Sequence, residues 1–189
     1  MSHTDLNVEC PHCGESFHLT QALIAPMLEV EKEKVQAEAA RNLAREADFL
    51  SVGTNDLSQY ALAVDRNNAR VAHLYQPLHP GLLALIKMVI DAGDKAATPV
   101  CVCGEMAGEP ESALLLLGMG LRSFSMSPYH VPAVRKLLSC VTLDEAQRAL
   151  RDILELGSTT EIRIEVRKRV LALAPELEAF LVPLPKELL

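Results

Sequence analysis

The chain has 189 residues, 49% of them hydrophobic and 4% aromatic, and its 18 Lys and Arg against 25 Asp and Glu give a formal net charge of −7. That length supports one domain with a sizeable core, or one domain plus a small appendage, and the acidic balance without a basic cluster argues against nucleic acid as a partner. The longest strongly apolar run, Ala113 to Leu121, is far too short to span a bilayer and no secretion-type signal opens the chain, so the expectation is a cytoplasmic, non-membrane protein with reduced cysteines.

The first element, residues 1–20, centres on Cys10-Pro-His-Cys13-Gly14, a knuckle whose spacing lets both thiolates meet one Zn²⁺. His12 and His18 lie nearby, and His18 could complete a three-ligand set with Cys10 and Cys13. A second Cys-x-x-Cys is missing from the usual range, so a zinc site, a metal-free remnant of one and a redox pair all stay open. Residues 21–47 are rich in Glu, Lys, Gln, Ala and Leu and predict a long helix from Gln21 to about Glu46. Its apolar stripe (Leu23, Met27, Val30, then Leu43, Ala44, Ala47) is patchy, as in a solvated helix rather than a coiled coil.

From residue 48 onward the pattern becomes strand then helix, repeated. A strand is expected at Asp48–Val52 and a helix at Leu57–Ala63; Pro80 leads into a helix at Leu82–Ala92. A strand at Pro99–Cys103 precedes a helix at Glu109–Gly118, and a strand at Ser123–Met126 precedes one at Val131–Ser139. Two further helices are expected at Leu143–Leu156 and Glu161–Leu173. A Pro-bearing tail over 175–189 follows, docked through Leu177, Phe180, Leu181 and Val182. The β-α-β-α-β-α order implies parallel strands in an α/β fold.

The chemistry concentrates at the strand ends. In FLSVGTNDLSQY (Phe49 to Tyr60) an apolar run stops at Gly53, where backbone can approach a ligand closely. Asn55 then offers amide donors and an acceptor, and Asp56 a hard oxygen suited to Mg²⁺. The competing reading is an Asn-Asp turn that caps the next helix. Arg66 can hold a phosphate or carboxylate bidentately, or form a surface pair with Asp65. Cys101 and Cys103 alternate along one strand and so share a side. Cys103, just before Gly104-Glu105, is either a tunable thiol or a small buried hydrophobe, and Cys140 reads as core. His73 and His79 read as loop and packing residues.

These strings, with Tyr60 to Asn68, His73-Leu74-Tyr75-Gln76-Pro77, Cys103 to Glu109, Leu114 to Gly120 and Phe124 to Ser127, resemble the phosphoenolpyruvate-utilising enzymes over about residues 42–154. Among them the order and spacing are most similar to the phosphoenolpyruvate-protein phosphotransferases, the enzyme I family of the bacterial sugar phosphotransferase system. A weaker single-knuckle resemblance to zinc-ribbon openings covers residues 8–28. The family resemblance implies that residues 48–174 are the last three βα units of a (β/α)₈ TIM barrel. It implies that Asn55, Asp56 and Arg66 bind phosphoenolpyruvate, that Asp56 holds Mg²⁺, and that Cys103 exchanges a proton with C3 of enolpyruvate or pyruvate. A phosphocarrier protein would be the family's partner.

A whole barrel needs about 250 residues, so the chain is expected to be a fragment of such an enzyme with a half-site, nearly inert by itself. Its six histidines (3, 12, 18, 73, 79, 130) include none in a Thr-Ser-His context, the family's phosphoryl acceptor. The open sheet is expected to be covered by the N-terminal helix, a second copy or a complementing barrel fragment. The alternative is a non-catalytic oligomerisation or binding module with a zinc knuckle, with a weak metabolite binder as a remaining possibility.

Overall fold

Two short strands, β1 (Leu6–Glu9) and β2 (Ser16–Leu19), pair antiparallel with Glu9 opposite Ser16. The Cys-x-x-Cys segment therefore lies in their connection. The computed structural model describes residues 6–9, 13, 16–19, 30–32, 34–35, 38–39 and 42–183. Cys13 is exposed, while Cys10, His12 and the side chain of His18 fall outside the described residues, and so does the proposed zinc site. All described residues from 30 to 46 are helical. This segment exposes Val30, Val35 and Leu43 but buries Ala44, whose carbonyl accepts a hydrogen bond from Thr98 Oγ1.

The organising element is a mixed α/β unit on three parallel strands, β3 (Leu50–Gly53), β4 (Val100–Cys103) and β5 (Ser123–Ser125), in that order. Register pairs Ser51 with Cys101 and Cys101 with Ser123, and one row further Gly53 with Cys103 and Cys103 with Ser125. Val52 and Val102 point the other way and are buried in the core, against which Phe124 packs. The sheet thus has an apolar face under the helices and a face of small polar side chains, because side chains alternate along a strand. Strand β3 starts at Leu50, two residues later than the sequence suggests; Phe49 precedes it and is exposed.

Helix α1 (Thr54–Leu62) begins immediately after β3, so Thr54, Asn55 and Asp56 form its first turn rather than a loop ahead of it. Gly53 is the N-cap and no side chain caps it, so the Asn-Asp capping reading does not hold. After a 3₁₀ turn at Ala72–Leu74, α2 (Pro80–Ala96) has Pro80 in its first turn, where a missing N–H is harmless. His79 is its N-cap, its Nδ1 accepting from Gly81 N at 3.1 Å, a more defined role than loop packing. Leu82, Leu83, Ile86 and Ile90 form its buried stripe.

A four-residue helix, α3 (Glu105–Gly108), which the sequence pattern missed, precedes α4 (Pro110–Gly118), which begins one residue after the expected Glu109. Pro110 fixes the break by restarting the helix. Helix α4 is the centre of the core: Ala113, Leu114, Leu115 and Leu116 are consecutive and all inaccessible, as in a helix surrounded on every side. Each leucine so buried contributes about 1.5–3 kcal/mol. Around it pack α5 (Val131–Cys140), α6 (Leu143–Leu154) and α7 (Thr159–Leu173). Helix α6 shows why: Thr142 and Glu145 form a capping box, and Ala146, Ala149, Leu150 and Ile153 repeat at the helical spacing on its buried face. Cys140 packs against this core.

The tail folds into a 3₁₀ segment, Pro175–Phe180. Leu177 and Leu181 are buried, whereas Phe180 is exposed, so two of the four expected apolar side chains do the burying. Arg167 Nη1 donates to the Val182 carbonyl at 2.9 Å, and Val182 N donates to Glu111 Oε2 at 3.3 Å. Among the described residues no helix is long and apolar enough to cross a membrane.

Candidate functional site

The register that pairs Gly53 with Cys103 brings the sequences following β3 and β4 to one edge of the sheet. Three sequence-picked residues meet there, since Asn55 and Asp56 follow β3 directly and Cys103 ends β4. Thr54 Oγ1 donates to the Cys103 carbonyl at 3.0 Å and ties the two strand ends together. The Thr54 hydroxyl is buried, so this bond also spares a desolvated donor. Ser58 Oγ, itself buried, donates to the Thr54 carbonyl at 2.6 Å one helical turn later.

Gly104 makes this approach possible. Its φ of +113° is a conformation that side chains rarely adopt, and a Cβ there would lie 2.7 Å from Thr54 Oγ1 and 3.2 Å from Asn55 Oδ1. At Gly53, by contrast, a Cβ would meet nothing within 4 Å, so within this chain Gly104 rather than Gly53 is the glycine the packing requires.

Asn55 is held on its carbonyl side. Its Oδ1 accepts from Tyr75 Oη at 3.3 Å and from Glu105 N at 3.4 Å, while its amide nitrogen donates to no acceptor among the described residues. Burial raises the Tyr75 phenol above its ordinary value, keeping it a proton donor to Asn55. Arg66 reaches the same edge from the loop after α1. Its backbone N–H donates to Gln59 Oε1 at 3.1 Å, and its Nη1 contacts Glu105 Oε1 at 3.0 Å. The alternative Asp65–Arg66 pair does not form; Asp65 Oδ1 instead accepts from Asn67 N at 2.8 Å. Asp56 is exposed and makes no hydrogen bond or ion pair with a described group.

Cys103 is partly exposed, on the small polar face, and Ser51 Oγ donates to its Sγ at 3.6 Å. The structure therefore gathers Asn55, Asp56, Arg66 and Cys103 along one sheet edge and adds Ser51, Thr54, Gln59, Tyr75 and Glu105, which sequence reasoning did not assign to it. Tyr75 and Glu105 lay inside noticed strings, but only folding brings residues 20 and 50 positions from Asn55 onto one carbonyl oxygen. Among the described residues no three His, Cys, Asp or Glu side chains converge as a metal site.

This α/β sheet edge therefore carries an Asn-Asp pair, a thiol and an arginine paired with Glu105. The profile of the PEP-utilising enzyme family, PEP-binding domain, matches residues 17–143, and the chain belongs to that family. The match begins upstream of Asn42, where the recognisable motifs start. Over 123 residues the chain is 49% identical to a phosphoenolpyruvate-protein phosphotransferase of Haemophilus influenzae, a match covering 65% of this chain and 21% of that protein. A protein of the same name from Geobacillus stearothermophilus is 42% identical over 151 residues, 80% of this chain and 25% of the relative. One from Cupriavidus necator is 55% identical over 92 residues, 49% of this chain and 16% of the relative. The chain thus spans a quarter or less of these curated relatives.

Proposed function

We propose that residues 48–174 are the last three βα units of a (β/α)₈ barrel and carry part of a phosphoenolpyruvate site of the phosphotransferase type. The observation that carries this reading is the Gly53–Cys103 register, which sets Asn55, Asp56 and Cys103 at one strand-end edge, where such barrels keep their chemistry.

Each residue has a definable part. The Asn55 amide nitrogen donates to an oxygen of the bound acid, its carbonyl being fixed by Tyr75 and Glu105. Arg66 receives the phosphate, exchanging the exposed Glu105 carboxylate for a phosphate oxygen; the two carry comparable geometry for a guanidinium fork. Cys103 gives a proton to C3 of the enolpyruvate carbon, or takes one from pyruvate, and the Ser51 hydroxyl stabilises the thiolate left behind. Asp56 and Glu105 against Arg66 leave this edge net negative, which opposes a polyanionic substrate. Asp56 fits Mg²⁺, because its exposed oxygens have no competing partner among the described residues. When bound, that ion neutralises phosphate charge. One carboxylate plus water holds a divalent ion weakly, so further ligands and cations come from a complementing barrel segment, in the same polypeptide or another.

Titration calorimetry with phosphoenolpyruvate and Mg²⁺ tests the reading. The chain by itself is expected to bind in the millimolar range or not at all, about −4 kcal/mol or weaker. Adding a polypeptide with the first five βα units of a relative should tighten binding, and Asp56→Ala or Arg66→Ala should abolish the gain. Micromolar binding by the chain alone would overturn the need for a complement. Failure of any such segment to add binding would overturn the site assignment.

A further inference from the structure

Among the described residues, the face of the sheet opposite Val52 and Val102 carries a grid of small polar side chains. Ser51, Cys101 and Ser123 form one cross-strand row, and Gly53, Cys103 and Ser125 the next. Ser51, Ser123 and Ser125 are exposed and both cysteines partly so, and neither cysteine is in a disulfide. Cys101 and Cys103 stand two residues apart on one strand, hence on the same side with Cα atoms about 6.7 Å apart. That spacing is at the upper end of what a disulfide spans, so direct S–S closure is strained. A bridge with one atom inserted between the sulfurs is longer and relieves that strain.

We infer that Cys101 and Cys103 form a vicinal dithiol that binds a soft, thiophilic metal or metalloid centre across both sulfurs. The inference rests on the strand register and on the exposure of these side chains, not on any role of Cys103 in phosphoenolpyruvate chemistry. With phenylarsine oxide as the probe, two S–H bonds and the As=O bond break, two As–S bonds form, and both protons leave in one water molecule. No electron transfer is needed. Both rows contain serine hydroxyls; Ser51 Oγ donates to Cys103 Sγ at 3.6 Å, while Cys101 Sγ lies 3.7 Å from the Val102 carbonyl that it donates to. Because Cys101 lies between Ser51 and Ser123, Cys101→Ser places a third hydroxyl in a row that already holds two, and the fold should accept it.

The test is iodoacetamide footprinting of the full, reduced chain after treatment with phenylarsine oxide in threefold excess, read by mass spectrometry. Trypsin leaves Cys101 and Cys103 together in residues 96–122, separate from Cys10, Cys13 and Cys140. Both thiols of that peptide should be protected at least tenfold, with protection surviving excess 2-mercaptoethanol and lost with 2,3-dimercaptopropanol. In Cys101→Ser, 2-mercaptoethanol should strip the probe from Cys103, and Cys103→Ser should show the reciprocal loss at Cys101. Protection in the parent chain that a monothiol removes as easily as a dithiol would overturn the inference. So would protection at Cys103 unchanged by Cys101→Ser, or full alkylation despite the probe. A circular-dichroism melt of each variant reports that the comparison is between folded chains.

Discussion

Replacing Gly104 by alanine tests the geometry on which the candidate site depends. With φ at +113° and ψ at −175°, Gly104 sits in a backbone region that is essentially glycine-only, and a side chain held there costs about 1–3 kcal/mol. The new Cβ would also lie 2.7 Å from Thr54 Oγ1, closer than real Cβ contacts come, so Thr54 must move away. Its hydrogen bond to the Cys103 carbonyl would then be lost, a further ~1 kcal/mol. The two contributions give roughly 3 kcal/mol, a fall in melting temperature of about 6–12 °C for a chain of this size. Gly53→Ala is the internal control: φ at Gly53 is −78° and a Cβ there meets nothing within 4 Å, so its effect should stay within about 1 kcal/mol. Thermal melts followed by circular dichroism, with urea titrations at constant slope, measure both. If Gly104→Ala costs no more than Gly53→Ala, the backbone at residue 104 relaxes freely. The tie between the two strand ends would then not be the constraint argued above.

Other expectations follow from particular residues. Ala97 ends α2 at φ +56° and is exposed, so Ala97→Gly removes left-handed strain that exceeds glycine's extra chain entropy; a gain of about 0.5–1 kcal/mol is expected, and a lower melting temperature would refute it. Burial raises Glu111 above the ordinary glutamate value of 4.5, so the folded chain keeps a proton that the unfolded chain has released. Stability from that group is full below 4.5 and falls as pH rises through the folded-state value. The melting temperature of Glu111→Gln relative to the parent should therefore climb from pH 4 to pH 7, and a difference independent of pH would refute the account. Among the described residues β3 has a strand neighbour on one side only, which predicts a dimer or higher oligomer by light scattering; a clean 20.6 kDa monomer would refute it. If Cys10 and Cys13 hold zinc, purified chain should carry near one equivalent by elemental analysis and Cys10→Ser should lose it; zinc-free chain from metal-replete expression would retire the site.

The sequence by itself determined the class of fold, the order of strands and helices, and the residues at the strand ends. Those features are local: alternating and helical apolar spacings are set by backbone geometry, and strings such as GTNDL and CGE carry their chemistry in contiguous residues. Contiguity also explains the errors. Phe49 looked like strand because it is apolar and adjoins Leu50, yet it is exposed. Helix α3 was missed because it is four residues long, about one turn, too short for a helical apolar spacing to register. Only the tertiary structure decided that Arg66 pairs with Glu105 rather than Asp65, and that Tyr75 and the Glu105 amide share one oxygen of Asn55. It also decided that at this sheet edge Gly104, not Gly53, is the glycine the packing requires, and that Ser51, Cys101, Cys103, Ser123 and Ser125 share one small, polar face. These outcomes turn on distances between residues far apart in the chain. They are set when parallel register brings Gly53 beside Cys103, and no pattern within either segment encodes that pairing.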